Sequence, residues 1–204
     1  MKPNEIIELA KSEVGYIGKK SRDSNLYDKT SDPIGNFTKY ARDLANSGYY
    51  NFDKSGYDWC CVFTDWLFWK ASGENKEEAI KIKPYQILNA GIRWSKGSFE
   101  NAGRIGSVPK PGACIFFLDK SKELAHTGVV VECGDTSITT VEGNVGRKVV
   151  QKSYKLNDPL IDSYGYPFYE EEEPTPGPEP DENWITLAEW KDINGKSLRL
   201  QQSK

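Results

Sequence analysis

The sequence holds a single histidine, His126, and so offers no choice of imidazole for acid–base chemistry. It has four cysteines, Cys60, Cys61, Cys114 and Cys133, but no C-x-x-C pair, so no zinc-type ligand pattern is present. A disulfide between adjacent Cys60 and Cys61 would be strained, and so few cysteines do not make a stapled scaffold. No apolar run approaches the roughly 20 residues that cross a bilayer. The first residues, Met1-Lys2-Pro3-Asn4-Glu5-Ile6-Ile7-Glu8, lack the apolar core of a signal peptide. The expectation is a chain that stays inside the cell or leaves it by another route. Neither sign of charge dominates: a net charge of −3 excludes a general polyanion binder, so nucleic acid is not an expected partner. No cofactor is called for. Asn51 to Gly56 alternates polar residues ahead of a glycine, as a calcium loop begins, but Val62 stands where such a loop needs its bidentate Glu. It reads as a turn, and no metal is expected.

What is present is aromatic residue in quantity, 6 Trp, 11 Tyr and 8 Phe in 204 residues, enough for one sizeable core. The densest stretch is Asp58-Trp59-Cys60-Cys61-Val62-Phe63-Thr64-Asp65-Trp66-Leu67-Phe68-Trp69. It reads as a buried helix with Asp58 as N-cap, Trp59 at the first helical position and Gly73 as the stop. Trp59, Val62, Phe63, Trp66, Leu67 and Trp69 share a broad apolar arc with Cys60 at its edge. Cys61 falls with Asp65, Phe68 and Ser72 on the other side.

Before it, helices are expected over Pro3 to Val14 and Phe37 to Ser47, with a polar surface loop from Ser21 to Asn36. After it, Lys76 to Gly97 predicts one or two helices, interrupted at Pro84 and Gly91. The pattern then changes to short apolar runs of strand length: 113–118, 126–131, 137–142 and 148–151, with a further strand from Tyr166 to Tyr169. Helices first and an antiparallel meander afterwards make an α+β domain. Residues 1–169 are its expected extent. Residues 170–183, beginning Glu-Glu-Glu-Glu-Pro-Thr-Pro-Gly-Pro, read as an acidic, proline-rich linker. Residues 184–204 read as a β-hairpin about Asn194-Gly195, a tail that must dock on a partner, self-associate or belong to a larger module.

A thiol in the first turn of a helix feels unpaired N–H groups and the positive end of the macrodipole, both of which favour thiolate. Cys60 is therefore a candidate nucleophile, although a free cysteine is more often a small buried hydrophobe. A cysteine nucleophile needs a base that later acts as acid, and only His126 is available. His126 opens an apolar strand, facing the same way as Gly128, which leaves space beside it. Glu142 and Asn144 end the next strand and project together if it stays extended, so either can orient the imidazole. Cysteine at a helix start, histidine on one strand and Glu or Asn on the next is the layout of papain-like hydrolases.

Trp59-Cys60-Cys61-Val62-Phe63-Thr64-Asp65-Trp66, Pro111-Gly112-Ala113-Cys114-Ile115-Phe116-Phe117, His126-Thr127-Gly128-Val129-Val130 and Thr140-Val141-Glu142-Gly143-Asn144 resemble, in order, the four motifs of the CHAP family. These are cysteine, histidine-dependent amidohydrolase/peptidases, especially of Gram-positive gut bacteria and their phages. The similarity spans about Ile6 to Tyr169. It implies a small papain-like fold and peptidoglycan as substrate, cleaved at the muramoyl–L-alanine amide or within the stem or cross-bridge peptide. It also implies Cys60 as nucleophile, His126 as base and Glu142 and Asn144 as orienting residues, with Cys61 at a variable position. A phage or prophage lysin released through a membrane pore fits the absence of a signal peptide. Two other readings compete: a papain-like protease or deamidase acting on proteins, and a catalytically silent wall-binding or phage-tail module.

Overall fold

Five helices precede a six-stranded sheet in the computed structural model, which describes residues 1–30, 34–85 and 89–170. The expected linker and hairpin beyond Glu170 lie outside the described residues. The helices are α1 (Pro3–Glu13), α2 (Lys39–Asn46), α3 (Cys60–Ala71), α4 (Lys76–Ile82) and α5 (Ile92–Asn101). The strands are β1 (Ile105–Gly106), β2 (Cys114–Leu118), β3 (Leu124–Cys133), β4 (Ser137–Val145), β5 (Lys148–Lys155) and β6 (Ile161–Gly165). Their order is β1-β6-β2-β3-β4-β5, every pairing antiparallel. The α+β class and the meander β2 to β5 are as the sequence implies.

Two local expectations are corrected. No strand forms from Tyr166 to Tyr169, where Pro167 has no N–H for a ladder. Tyr166 N–H instead donates to the Arg104 carbonyl at 2.7 Å, and the strand that pairs with β2 is Ile161–Gly165, whose mixed polar sequence hid it. Asp58 is not the N-cap of α3: Trp59 holds that position without a side-chain cap bond, which puts Cys60 first in the helix. Helix α3 is buried, as its sequence implies. Every residue from Cys61 to Trp69 is buried, because helices α1, α2 and α4 and strands β3 and β4 surround it. A helix that is apolar nearly all round belongs in a core, and this one is its axis.

Asp65, the one buried charge of that helix, is met by Lys83 just beyond α4, and both side chains are 0% exposed. Tyr50 donates its hydroxyl to Asp65 Oδ2, and Lys83 Nζ reaches Ser95 Oγ at 3.1 Å. A fully wrapped charge requires such partners. Alternate residues of the central strands feed two apolar layers. Cys114, Phe116, Val129 and Val141 pack toward the aromatic helices, while Ile115, Phe117, Val130 and Ile138 form a smaller cluster with Tyr164. That double burial explains why β2 and β3 read as continuous apolar runs.

Candidate active site

The first helical hydrogen bond of α3 runs from Phe63 N–H to the Trp59 carbonyl, 2.9 Å, so the N–H groups of Cys60, Cys61 and Val62 have no acceptor inside the helix. Cys60 is half-buried at this end and Cys61 is fully buried; both are free thiols. Cys60 and the His126 imidazole are close enough to shift one another, the thiol down and the imidazole up. His126 stands near the start of β3, paired across the ladder with Phe117 of β2. Its Nε2 lies 3.0 Å from Glu142 Oε2 on β4, which leaves Nδ1 to the thiol. Gly128 creates the room for this contact. A Cβ there would fall 2.6 Å from Glu142 Cγ and 2.9 Å from the Val141 carbonyl oxygen, so the space beside the imidazole is filled by the carboxylate. Gly143 does the same service for the helix, since a Cβ there would strike Phe63 at 2.5 Å. The strand can thus lie directly on α3.

Glu142 is 0% exposed, yet its second oxygen is also occupied: Thr140 Oγ1 and Tyr154 OH each donate to Oε1 at 2.7 Å. Lys152 Nζ stands 3.9 Å from Oε2. Burial alone raises the Glu142 carboxyl, but hydrogen bonds from His126, Thr140 and Tyr154 hold it below its ordinary value. Burial opposes charge on His126 as well. Its hydrogen bonds to Cys60 and Glu142 outweigh that and push it up to about 9. Cys60 moves the other way. A hydrogen bond from the Cys61 thiol, followed by the His126 interaction, holds it well below the ordinary thiol range in spite of burial. Cys61 is raised by the same hydrogen bond and by burial, so it stays a neutral donor. Both shifts favour a thiolate beside an imidazolium, with a buried carboxylate behind.

Asn144 does not join this relay. It sits at φ +68°, in the left-handed region that Asn tolerates, and the β4–β5 register shifts between Glu142 and Val145. The strand therefore does not stay extended past Glu142, and the two side chains part. Asn144 Nδ2 donates to Asp58 Oδ1 at 3.0 Å, across to the turn before the nucleophile. Of the four candidate residues, Cys60, His126 and Glu142 form one connected line, and Asn144 braces the loop beside it. Thr140 and Tyr154 were not foreseen. Thr140 carried a usable signal, two positions before Glu142 on the same face of its strand. Tyr154 carried none, because its approach depends on β5 pairing.

A cleft of about 300 Å³ opens at His126, lined by Phe117, Leu118, Glu142, Asn144 and Tyr154 among others. Among the described residues, no group of three or more His, Cys, Asp or Glu side chains is placed to hold a metal ion. The turn that begins like a calcium loop closes on itself instead: Asp53 Oδ1 accepts from Ser55 N–H at 2.8 Å and Oδ2 pairs with Arg22 at 2.9 Å. No described helix is long and apolar enough to cross a membrane.

No curated protein matches the sequence. Among solved structures, that of Ly7917 superposes with a TM-score of 0.44 at 13% identity, covering 82% of this chain and 62% of the other. Ly7917 with the hydrolyzing product of MDP gives 0.47 at 12% identity, covering 82% and 63%. This chain thus spans less than two thirds of the length of either, and neither likeness is strong enough to support more. The family model of the CHAP domain matches residues 52–144, the stretch that holds Cys60, His126, Glu142 and Asn144. This match spans helix α3 and strands β2 to β4, so that part of the chain is similar to the CHAP domain.

Proposed function

We propose that the protein hydrolyses an amide bond of peptidoglycan through an acyl-enzyme on Cys60, either as a muramoyl–L-alanine amidase or as a stem or cross-bridge endopeptidase. The observation that carries this reading is the connected line Cys60–His126–Glu142 at the start of a buried helix. In it, the Cys60 thiolate adds to the amide carbonyl carbon, and the carbonyl oxygen becomes an oxyanion. The first-turn N–H groups of α3 supply donors and the positive helix end for that charge. His126, protonated at neutral pH, gives its Nδ1 proton to the departing amine as the C–N bond breaks. The neutral imidazole then takes a proton from water, whose oxygen attacks the thioester carbonyl. The C–S bond breaks, releasing the acid and restoring the thiolate–imidazolium pair.

Glu142 keeps the ring oriented and favours its charged form throughout; Asn144 acts one step away, by fixing Asp58 and the turn that leads into the nucleophile. The catalytic unit in this reading is residues 1–169, with 170–183 as linker and 184–204 as an appendage that docks or self-associates. Digestion of purified Gram-positive cell walls followed by mass spectrometry of the fragments tests the proposal. A new lactyl end on muramic acid marks an amidase, and a new amino-acid terminus marks an endopeptidase. Intact walls after prolonged incubation, alongside hydrolysis of casein, would assign the site to proteins instead.

A further inference from the structure

A second cleft, of about 410 Å³, lies on the other side of the Asn144–Asp58 hydrogen bond from the first and is lined by Phe52, Lys54, Tyr57, Asp58 and Asn89. Asp58, which lines this cleft, stands two residues before Cys60 and is bonded to Asn144 of the first cleft, so the two clefts are neighbours. The walls of the second cleft are unusual for a surface. Phe52 and Tyr57 are large aromatic side chains left 54% and 63% exposed. Beneath them Lys54 is only 7% exposed. Lysine is almost never buried so far without an anionic partner, since the lost hydration of the ammonium must be replaced.

Lys83, the other buried lysine near the nucleophile helix, follows that rule with Asp65. Lys54 does not. Among the described residues no carboxylate pairs with it: Asp58 is turned to Asn144, and Asp53 to Arg22. Its Nζ gives one hydrogen bond, to Asn89 Oδ1 at 3.0 Å, and otherwise sits over ring faces, 3.4 Å from the Phe52 centroid and 5.8 Å from that of Tyr50. An ammonium has three N–H donors, so hydrogen-bonding capacity remains. Burial depresses this amine below its ordinary value. The cation is thus desolvated, held in place and short of an anion at the floor of an aromatic-walled cleft.

We propose that Lys54 reads a free carboxylate of the substrate, a specificity-determining contact on the stem peptide next to the scissile amide. This rests on the reading of the site as a peptidoglycan hydrolase, and it adds which wall chemistry the enzyme prefers. The peptide stem carries such groups in the α-carboxylate of its γ-linked D-glutamate and at its free end. Converting a carboxylate to its amide removes the charge while keeping size and shape. The carboxylate also removes the cost of a buried unpaired ammonium, so its charge-assisted bond is stronger than a surface one.

The test uses full-length protein and soluble muropeptides that differ at one place, with the D-glutamate α-carboxylate free or amidated, and a second pair with the terminal carboxylate free or amidated. The wild-type enzyme should show a KM roughly ten- to a hundredfold lower for the free acid of one pair, the range of a charge-assisted hydrogen bond. Lys54→Met should bring that free acid down to the level of its amide, and Lys54→Gln should do the same. The wild-type comparison does not depend on how either variant folds. Hydrolysis of all four fragments at equal KM would overturn the inference and leave the proposed function standing. Failure to hydrolyse any of them, or cell walls, would remove the proposed function itself. A preference that survives in a folded Lys54→Met protein would assign the carboxylate to another residue.

Discussion

Helix α3 carries two charged networks that differ in what surrounds them. At its start, Cys60, His126 and Glu142 meet a cleft, and the imidazole side chain is 25% exposed. One turn along, Asp65 and Lys83 are joined by Tyr50 and Ser95 with both charges at 0% exposed. The inner network has its partners already, so it ties the middle of α3 to the end of α4 and to α5 and does nothing further. The outer one keeps an accessible thiol, the proposed nucleophile, beside an imidazole that can take its proton. A buried ion pair is a structural device when it is closed and a chemical one when a side is left for substrate. The contrast extends to neighbouring cysteines: the Cys60 thiol is held below its ordinary range, while Cys61, wrapped by the core, is pushed above it.

The first way to break this comparison is to remove the nucleophile. Cys60→Ala and Cys60→Ser should abolish hydrolysis of soluble wall fragments with the melting temperature nearly unchanged. His126→Ala should follow at about two to four orders of magnitude in kcat, as loss of a general base typically gives. No second histidine exists to replace it, so near-normal turnover would refute the mechanism.

The inner network should answer in stability instead of rate. Lys83→Met leaves Asp65 charged and unpaired, and should cost about 3–5 kcal/mol in chemical denaturation. The double variant Asp65→Leu with Lys83→Met should recover most of that loss. A Lys83→Met protein as stable as wild type would show that the pair does not hold the helices.

Glu142→Gln should lower kcat by about ten- to a hundredfold, the value of one charged hydrogen bond, and less than His126→Ala. Asn144→Ala should cost less again, since its contact is with Asp58. The charged form of His126 adds a pH limit. Its pKa is raised in the folded state from 6.5 to about 9, so the stabilisation it brings is complete below about 6.5 and is lost as pH rises through about 9. The thiolate–imidazolium pair is lost with it, and kcat/KM should fall over the same range. Activity that keeps rising through pH 9 would contradict this assignment.

Much of the site was legible in the sequence, because it depends on local order. A cysteine at the start of an aromatic helix, a lone histidine opening a strand and a glutamate ending the next could be named before their distances. What was not legible depended on backbone detail and on pairing. The left-handed turn at Asn144 separates it from Glu142, and nothing in Glu-Gly-Asn announces that turn. The capping bond expected from Asp58 is absent because Asn144 claims its carboxylate. Tyr154 reaches Glu142 only through the β4–β5 ladder, and Lys54 is buried by a turn whose sequence looks exposed. The burial of α3 was legible in its aromatic run, although an apolar arc alone does not say that the other side is covered too.

The smallest expected effect belongs to Cys61→Ala. It should keep most activity at neutral pH while the Cys60 thiol moves back toward its ordinary range, because a donor to the thiolate is gone.

The central claim is that Cys60 is already a thiolate in the resting protein, and its alkylation rate measures that directly. Wild-type protein is treated briefly with dilute iodoacetamide across the pH range, and the modified cysteine is located by peptide mass spectrometry. The account predicts that Cys60 alone is labelled quickly, at a rate already on its plateau at neutral pH and unchanged until His126 loses its proton near about 9. A slow rate that climbs with an ordinary thiol titration near about 8.5, or fast labelling of Cys61, would contradict it.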